Sequence, residues 1–244
     1  MTAASDVAGE TGHTPLATST RALLDTVSAL TVPQLAEPSL LPGWTRAHVV
    51  AHLALNAEGF NRALHGLVRD AGVAVYDSGE KRDADIEELA GAAPVELRAR
   101  LVAACTRFAT AYAELPPTAR SGSVPRVPGG PTFSVAELPV TRRREVEIHH
   151  ADLDAGYTCA AWPADFCAEL LDRVSADHAV DGPFLVRATD LGRDWQVGAT
   201  GGPVVTGSAA ALGWWLTGRG AGEGVACGSG ALPRLGPWAR PAAR

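Results

Sequence analysis

Leu41-Pro-Gly-Trp-Thr-Arg-Ala-His-Val-Val-Ala-His-Leu-Ala-Leu-Asn56 is the stretch on which the reading of this chain turns. Pro42 and Gly43 interrupt what precedes them. Thr45 stands where a helix needs an N-cap, with a hydroxyl able to accept from an orphan backbone N–H. From there Val49, Leu53, Phe60, Leu64 and Leu67 mark a core face on a helix running to about Val68. His48 and His52 lie one turn apart on another stripe, which Asn56 and Gly59 continue. Asn56, Gly59 and Ala63 are small or polar where a core would want bulk.

A matching stripe occurs on a later helix, predicted over roughly 134–155 despite Pro139. There Glu145, His149 and Asp152 occupy i, i+4 and i+7, so their side chains project from one face. If the two stripes meet, His52, Glu145 and His149 form a set of two imidazoles and one carboxylate. Three protein ligands with one position open is the arrangement of catalytic zinc. Spacing alone leaves a second reading open, an i, i+4 ion pair beside structural histidines. His150 sits about 100° round the helix from His149 and is expected to point elsewhere. Arg142, Arg143 and Arg144 read as a solvated face.

Outward from these two helices the chain organises itself by breakers and periods. Residues 1–14 read as a frayed leader, and Leu23, Leu24, Val27 and Leu30 give helical spacing over 16–30. Residues 69–83 read as a loop long enough to be functional. A helix is predicted over about 85–115, with a possible restart at Pro94, and 116–131 reads as a loop or short hairpin. After Gly156 the texture changes. Pro163 opens a helix to about Val180. Short alternating stretches at 184–189, 195–199 and 204–206 suggest a small antiparallel sheet. Ser208 caps a helix to Leu216, and a Gly- and Pro-rich tail follows. The expected fold class is α+β, with a four-helix bundle over 1–155 and a small α/β domain with a short antiparallel sheet over 156–244.

The 244 residues are 46% hydrophobic and 20% charged, a balance that excludes a disordered or collagen-like chain. A net charge of −6 argues against a nucleic-acid partner held by a basic field. No run of about 18 apolar residues occurs, so no membrane span is expected, and no targeting signal opens the chain. The four cysteines lack CxxC spacing and read as reduced, buried thiols of a cytoplasmic protein. There is no HExxH, GxSxG, P-loop or complete GxGxxG. A monomer is expected.

Four segments, in order and suitably spaced, resemble the mycothiol-dependent maleylpyruvate isomerases of the DinB-like metalloenzyme group. They are the 41–56 stretch, Tyr76-Asp-Ser-Gly-Glu-Lys-Arg-Asp-Ala-Asp-Ile-Glu87, Arg144-Glu-Val-Glu-Ile-His-His-Ala-Asp-Leu153, and Trp215-Leu-Thr-Gly-Arg219 with Leu235-Gly-Pro-Trp238. The resemblance covers nearly all of the chain after about residue 16. It implies a DinB-like, metal-binding bundle with a small C-terminal domain, and zinc on His52, Glu145 and His149. It also implies mycothiol as thiol cosubstrate at the open position, and Arg219 binding an acidic substrate or cosubstrate. Leu55 departs from relatives that carry Arg before the Asn.

The implied reaction is cis–trans isomerisation of maleylpyruvate to fumarylpyruvate in gentisate degradation, by reversible thiolate addition. The alternative is a mycothiol S-transferase acting on another electrophile. A substrate with two carboxylates calls for fixed guanidinium groups, which pair a carboxylate bidentately. Arg82 and Arg219 are the candidates, with Asn56 beside them; a solvated loop charge is the other reading of Arg82, and a helix-end charge that of Arg219.

Overall fold

The computed structural model describes residues 14–178 and 180–236. The expected leader at 1–13, and Pro237 and Trp238 of the closing motif, lie outside the described residues. The chain divides into two compact units, 1–157 and 158–244.

In the first unit the helices begin where short polar side chains satisfy orphan N–H groups. Thr14 caps α1 (Pro15–Ala29), Thr31 forms a capping box with Gln34 on α2 (Val32–Ala36), and Ser78 caps α4 (Gly79–Ala90). Between them runs α3 (Arg46–Val68), followed after α4 by α5 (Pro94–Ala113), a hairpin of β1 (Ser123–Pro125) and β2 (Thr132–Ser134), and α6 (Leu138–Asp152). The long helices α1, α3, α5 and α6 make the bundle. The N-terminal half of α3 buries Val49 and Leu53 with Leu23, Leu97 and Val146. Its C-terminal half buries Phe60 and Leu64 with Phe108 and Leu138.

Two departures from the sequence expectations, and the restart allowed for at Pro94, have local causes. The 85–115 helix is two helices: α4 ends at Gly91, and α5 restarts with Pro94 in its first turn, where a missing N–H costs nothing. Because Ser78 accepts from Lys81 N, α4 starts at Gly79 and absorbs part of the expected loop. The helix expected from 134 begins at Leu138, after a 3₁₀ turn over Val135–Glu137.

Two features hold α3 and its neighbours in register. The Arg46 guanidinium donates to the carbonyls of Leu153 and Asp154, both at 2.7 Å, and pairs with Glu37, tying the start of α3 to the end of α6. Residues 73–76 lie directly on α3 opposite Gly59 and Gly66. A Cβ at Gly59 would sit 2.6 Å from the Val75 carbonyl oxygen, and one at Gly66 2.5 Å from Val73 Cβ. Glycine permits that approach and seats Tyr76 beside Asn56.

The second unit holds a four-stranded sheet of order β4-β3-β5-β6, from β3 (Phe184–Ala188), β4 (Arg193–Val197), β5 (Val204–Gly207) and β6 (Val225–Cys227). Ladders β3–β4 and β5–β6 are antiparallel, and β3–β5 is parallel. Helices α7 (Ala164–Asp177) and α8 (Ala209–Leu216) pack in the same unit, α8 capped by Ser208 as expected. Phe166, Leu170, Val186, Val205, Leu212 and Trp215 are buried there. Among the described residues no helix is long and apolar enough to cross a membrane. None of the four cysteines is in a disulfide; Cys105 and Cys167 are buried, Cys159 and Cys227 partly exposed.

Candidate metal centre

The two stripes meet. His52 projects from the N-terminal half of α3 toward Glu145 and His149, which stand one turn apart on α6. His52 Nε2 lies 3.0 Å from Glu145 Oε2, and His149 Nε2 lies 3.5 Å from the same oxygen. The imidazole centroids are 4.6 Å apart, edge to face, and one donor atom from each residue lies within 4.8 Å of the others. His52 is buried, whereas Glu145 keeps about a third of its side chain open (31%). The set is therefore reachable from outside.

Electrostatics prepare the donors unequally. Burial lowers the His52 pKa to about 4, against the opposing hydrogen bond to Glu145, so this imidazole is neutral. Burial alone would raise the Glu145 carboxyl, but hydrogen bonds with His149 and His52 outweigh it and hold the carboxyl well below its usual range. At His149 burial is overcome by the carboxylates of Asp152 and Glu145, and its pKa rises. Asp152 Oδ2 lies 2.8 Å from His149 Nδ1 and accepts a hydrogen bond from it. That leaves Nε2 as the nitrogen facing Glu145. A carboxylate behind one ring nitrogen is the usual device for orienting a metal-bound histidine.

Two neighbouring histidines, His48 and His150, serve other ends. His48 accepts at Nδ1 from Thr45 N at 3.2 Å, completing the α3 cap, and its Nε2 pairs with Glu87. His150 does point elsewhere: Nε2 lies 2.8 Å from Thr26 Oγ1, and the ring stacks on Tyr157 at 3.7 Å.

One expectation is corrected outright. Arg142 and Arg143 are not a solvated face; they are 1% and 6% exposed. Arg142 donates to Asn56 Oδ1 at 2.6 Å and to Cys105 Sγ at 3.6 Å. Asn56 Nδ2 in turn donates to the Tyr76 hydroxyl at 3.1 Å. Both ends of the Asn56 amide are thus engaged inside the bundle, and its side chain positions Tyr76. Burial, reinforced by the charge of Glu145, pushes the Tyr76 hydroxyl pKa up and keeps it protonated.

Arg82 reaches from α4 to within 3.3 Å of His52 Nδ1, and its guanidinium carbon lies 5.7 Å from the Tyr76 ring centroid. The solvated-loop reading of this residue does not hold: its side chain is 21% exposed, on a helix, beside the metal set. Its partners also include Asp83, at 2.6 Å. A cavity of about 540 Å³ opens beside Arg82 and Tyr76, between α3, α4 and α5, and Leu55 contributes to its wall. In the second unit Arg219 donates to the Thr217 carbonyl at 2.9 Å and lies 5.8 Å from the Trp214 ring centroid.

A helical bundle carrying a His–Glu–His set, with a second carboxylate behind one imidazole, defines a protein with a built candidate metal centre. A family model described as the mycothiol maleylpyruvate isomerase N-terminal domain matches residues 16–154. The chain belongs to this family, which is one of enzymes. Two solved structures are similar to it, the mycothiol-dependent maleylpyruvate isomerase and its H52A mutant. Each is 27% identical over 92% of this chain and 94% of its own, with TM-scores of 0.83 and 0.82 respectively. No curated protein matches.

Proposed function

We propose that this chain is a zinc- and mycothiol-dependent isomerase that converts maleylpyruvate to fumarylpyruvate. The observation that carries the reading is the convergence of His52, Glu145 and His149, in a chain of the isomerase family whose similar structures carry that activity in their names. The donor set suits zinc. It offers two imidazole nitrogens and one carboxylate oxygen, mutually within 4.8 Å, with a neutral His52 and an oriented His149.

Zinc bound there would hold the mycothiol sulfur as thiolate at neutral pH, where a free thiol is mostly protonated. Reversible addition of the thiol turns the cis double bond into a single bond. Rotation and expulsion then give the trans product and return the cosubstrate, with no net redox change. The protein's residues supply position and charge. Asp152 keeps the His149 proton on Nδ1. A guanidinium can only donate, so Arg82 leaves His52 once Nδ1 carries the imidazole proton, and becomes available to a substrate carboxylate. Tyr76, kept neutral, offers a hydroxyl proton beside the same group. Arg219 is proposed as a second carboxylate-binding cation.

Returned cosubstrate is the discriminating property. Sub-stoichiometric mycothiol should convert many equivalents of maleylpyruvate, with free thiol unchanged at the end. Consumption of one mycothiol per turnover would replace the isomerase reading with that of an S-transferase.

Asp152→Asn removes the charge behind His149, and zinc affinity is expected to fall about 10–100-fold, the range for losing an outer partner of a metal ligand. His150→Ala, on the other side of α6, should leave it unchanged. Chelator competition on both variants measures this; an unchanged affinity in Asp152→Asn contradicts the role given to Asp152.

A further inference from the structure

The cavity beside Arg82 and Tyr76 has a composition that the reaction does not require. Its wall comes from one face of α3, from α4 and from the start of α5, and it contains no member of the His52, Glu145 and His149 set. The lining carries four cationic side chains and four carboxylates. Away from the metal set, Arg100 grips Glu58 through two hydrogen bonds of 2.9 Å, with Glu96 and Arg62 nearby on the same wall. Apolar surface is confined to small patches such as Leu55 and Ala92. At about 540 Å³ the space falls within the range of roughly 300–1,000 Å³ typical of small-molecule sites.

A wall of this kind selects by chemistry. A hydrocarbon would strip solvent from its charged groups and give no hydrogen bond in return. A dicarboxylate would find the cations away from His52 already paired, Arg100 with Glu58, Lys81 with Asp85 and Arg62 with Asp77, so the acidic substrate does not fill it. A neutral molecule dense in hydroxyls suits it, because each hydroxyl donates to a carboxylate and accepts from a guanidinium.

Resting on the isomerase reading above, we infer that this cavity binds the glucosaminyl-inositol part of mycothiol. The sugar hydroxyls lie against the Glu58–Arg100 pair, and the cysteinyl arm leads past Tyr76 and Arg82 toward His52. The inner end of the cavity supports that direction, since Arg82 both lines it and lies 3.3 Å from His52 Nδ1. The site assigns cosubstrate recognition to the bundle surface of α3, α4 and α5, with Arg82 the one lining cation also proposed for the substrate.

Calorimetric titration of the zinc-loaded full chain tests this with two probes, mycothiol and the cysteine-free N-acetylglucosaminyl-inositol, whose nitrogen stays a neutral amide. The unaltered protein should bind both. Glu58→Gln with Arg100→Gln removes the charged pair, and Ala92→Trp fills the cavity from the α4–α5 turn. Each should weaken both probes at least tenfold and raise the KM for mycothiol to match, with kcat at saturating mycothiol and zinc content unchanged. Binding of both probes at full strength in both variants, or no binding of the cysteine-free probe to the unaltered chain, overturns the assignment and leaves mycothiol dependence standing. No binding of mycothiol itself to the zinc-loaded chain overturns the cosubstrate reading as well.

Discussion

Replacing His52 or His149 by alanine should strip the protein of zinc and abolish turnover while leaving the bundle folded. With one imidazole gone, two protein donors remain, fewer than the three that catalytic zinc sites use. The loss in metal affinity should exceed the roughly 10–100-fold that follows removal of an outer partner, and activity should fall with it. The fold should survive because the neighbouring core, with Val49, Leu53 and Val146 fully buried, does not depend on either ring. Metal analysis beside circular dichroism reads both effects. Full zinc retention in the two folded variants would remove the site from the account.

Arg219→Ala carries the second large effect, and its two readings differ in what changes. The guanidinium lies over Trp214 and donates to the Thr217 carbonyl just beyond α8, contacts fitting a helix-end cation. If that is its whole role, the substitution costs under about 1 kcal/mol of stability and leaves the kinetics alone. As the carboxylate-binding cation proposed above, it should lower kcat/KM by roughly 2–4 kcal/mol, the scale of losing one partner of a buried charge pair, with zinc content intact. Thermal unfolding and steady-state kinetics on one preparation separate the two. A normal kcat/KM would reduce Arg219 to the cap.

The convergence of His52, Glu145 and His149 was legible in the sequence because helical periodicity is a local code: i, i+4 and i+7 on α6 fix a face, and so does the position of His52 on α3. What lay beyond such a code was missed. Three consecutive arginines with no apolar pattern look solvated. Arg142 is nonetheless buried, because its partners Asn56 and Cys105 arrive from helices 86 and 37 residues away. The partners of Asn56 were hidden for the same reason, since its amide meets Arg142 and Tyr76. Tyr76 and the adjoining cavity depend on residues 73–76 lying against Gly59 and Gly66, a contact that only the folded chain reveals. The start of α4 did have a signal, the Ser78 cap, but the mixed composition after it read as loop. In the second unit the strands with alternating apolar residues were expected, whereas the three-residue β6 sits in a glycine-rich tail with no such pattern.

The central claim is that one zinc, on His52, Glu145 and His149, makes mycothiol the working nucleophile. Returning zinc stepwise to metal-free protein, with mycothiol and maleylpyruvate present, while following the enol absorbance tests it most directly. Turnover should rise with added zinc, level off at one equivalent per chain and vanish when mycothiol is withheld. Full turnover in the metal-free protein, or none at any zinc ratio with mycothiol present, would contradict it.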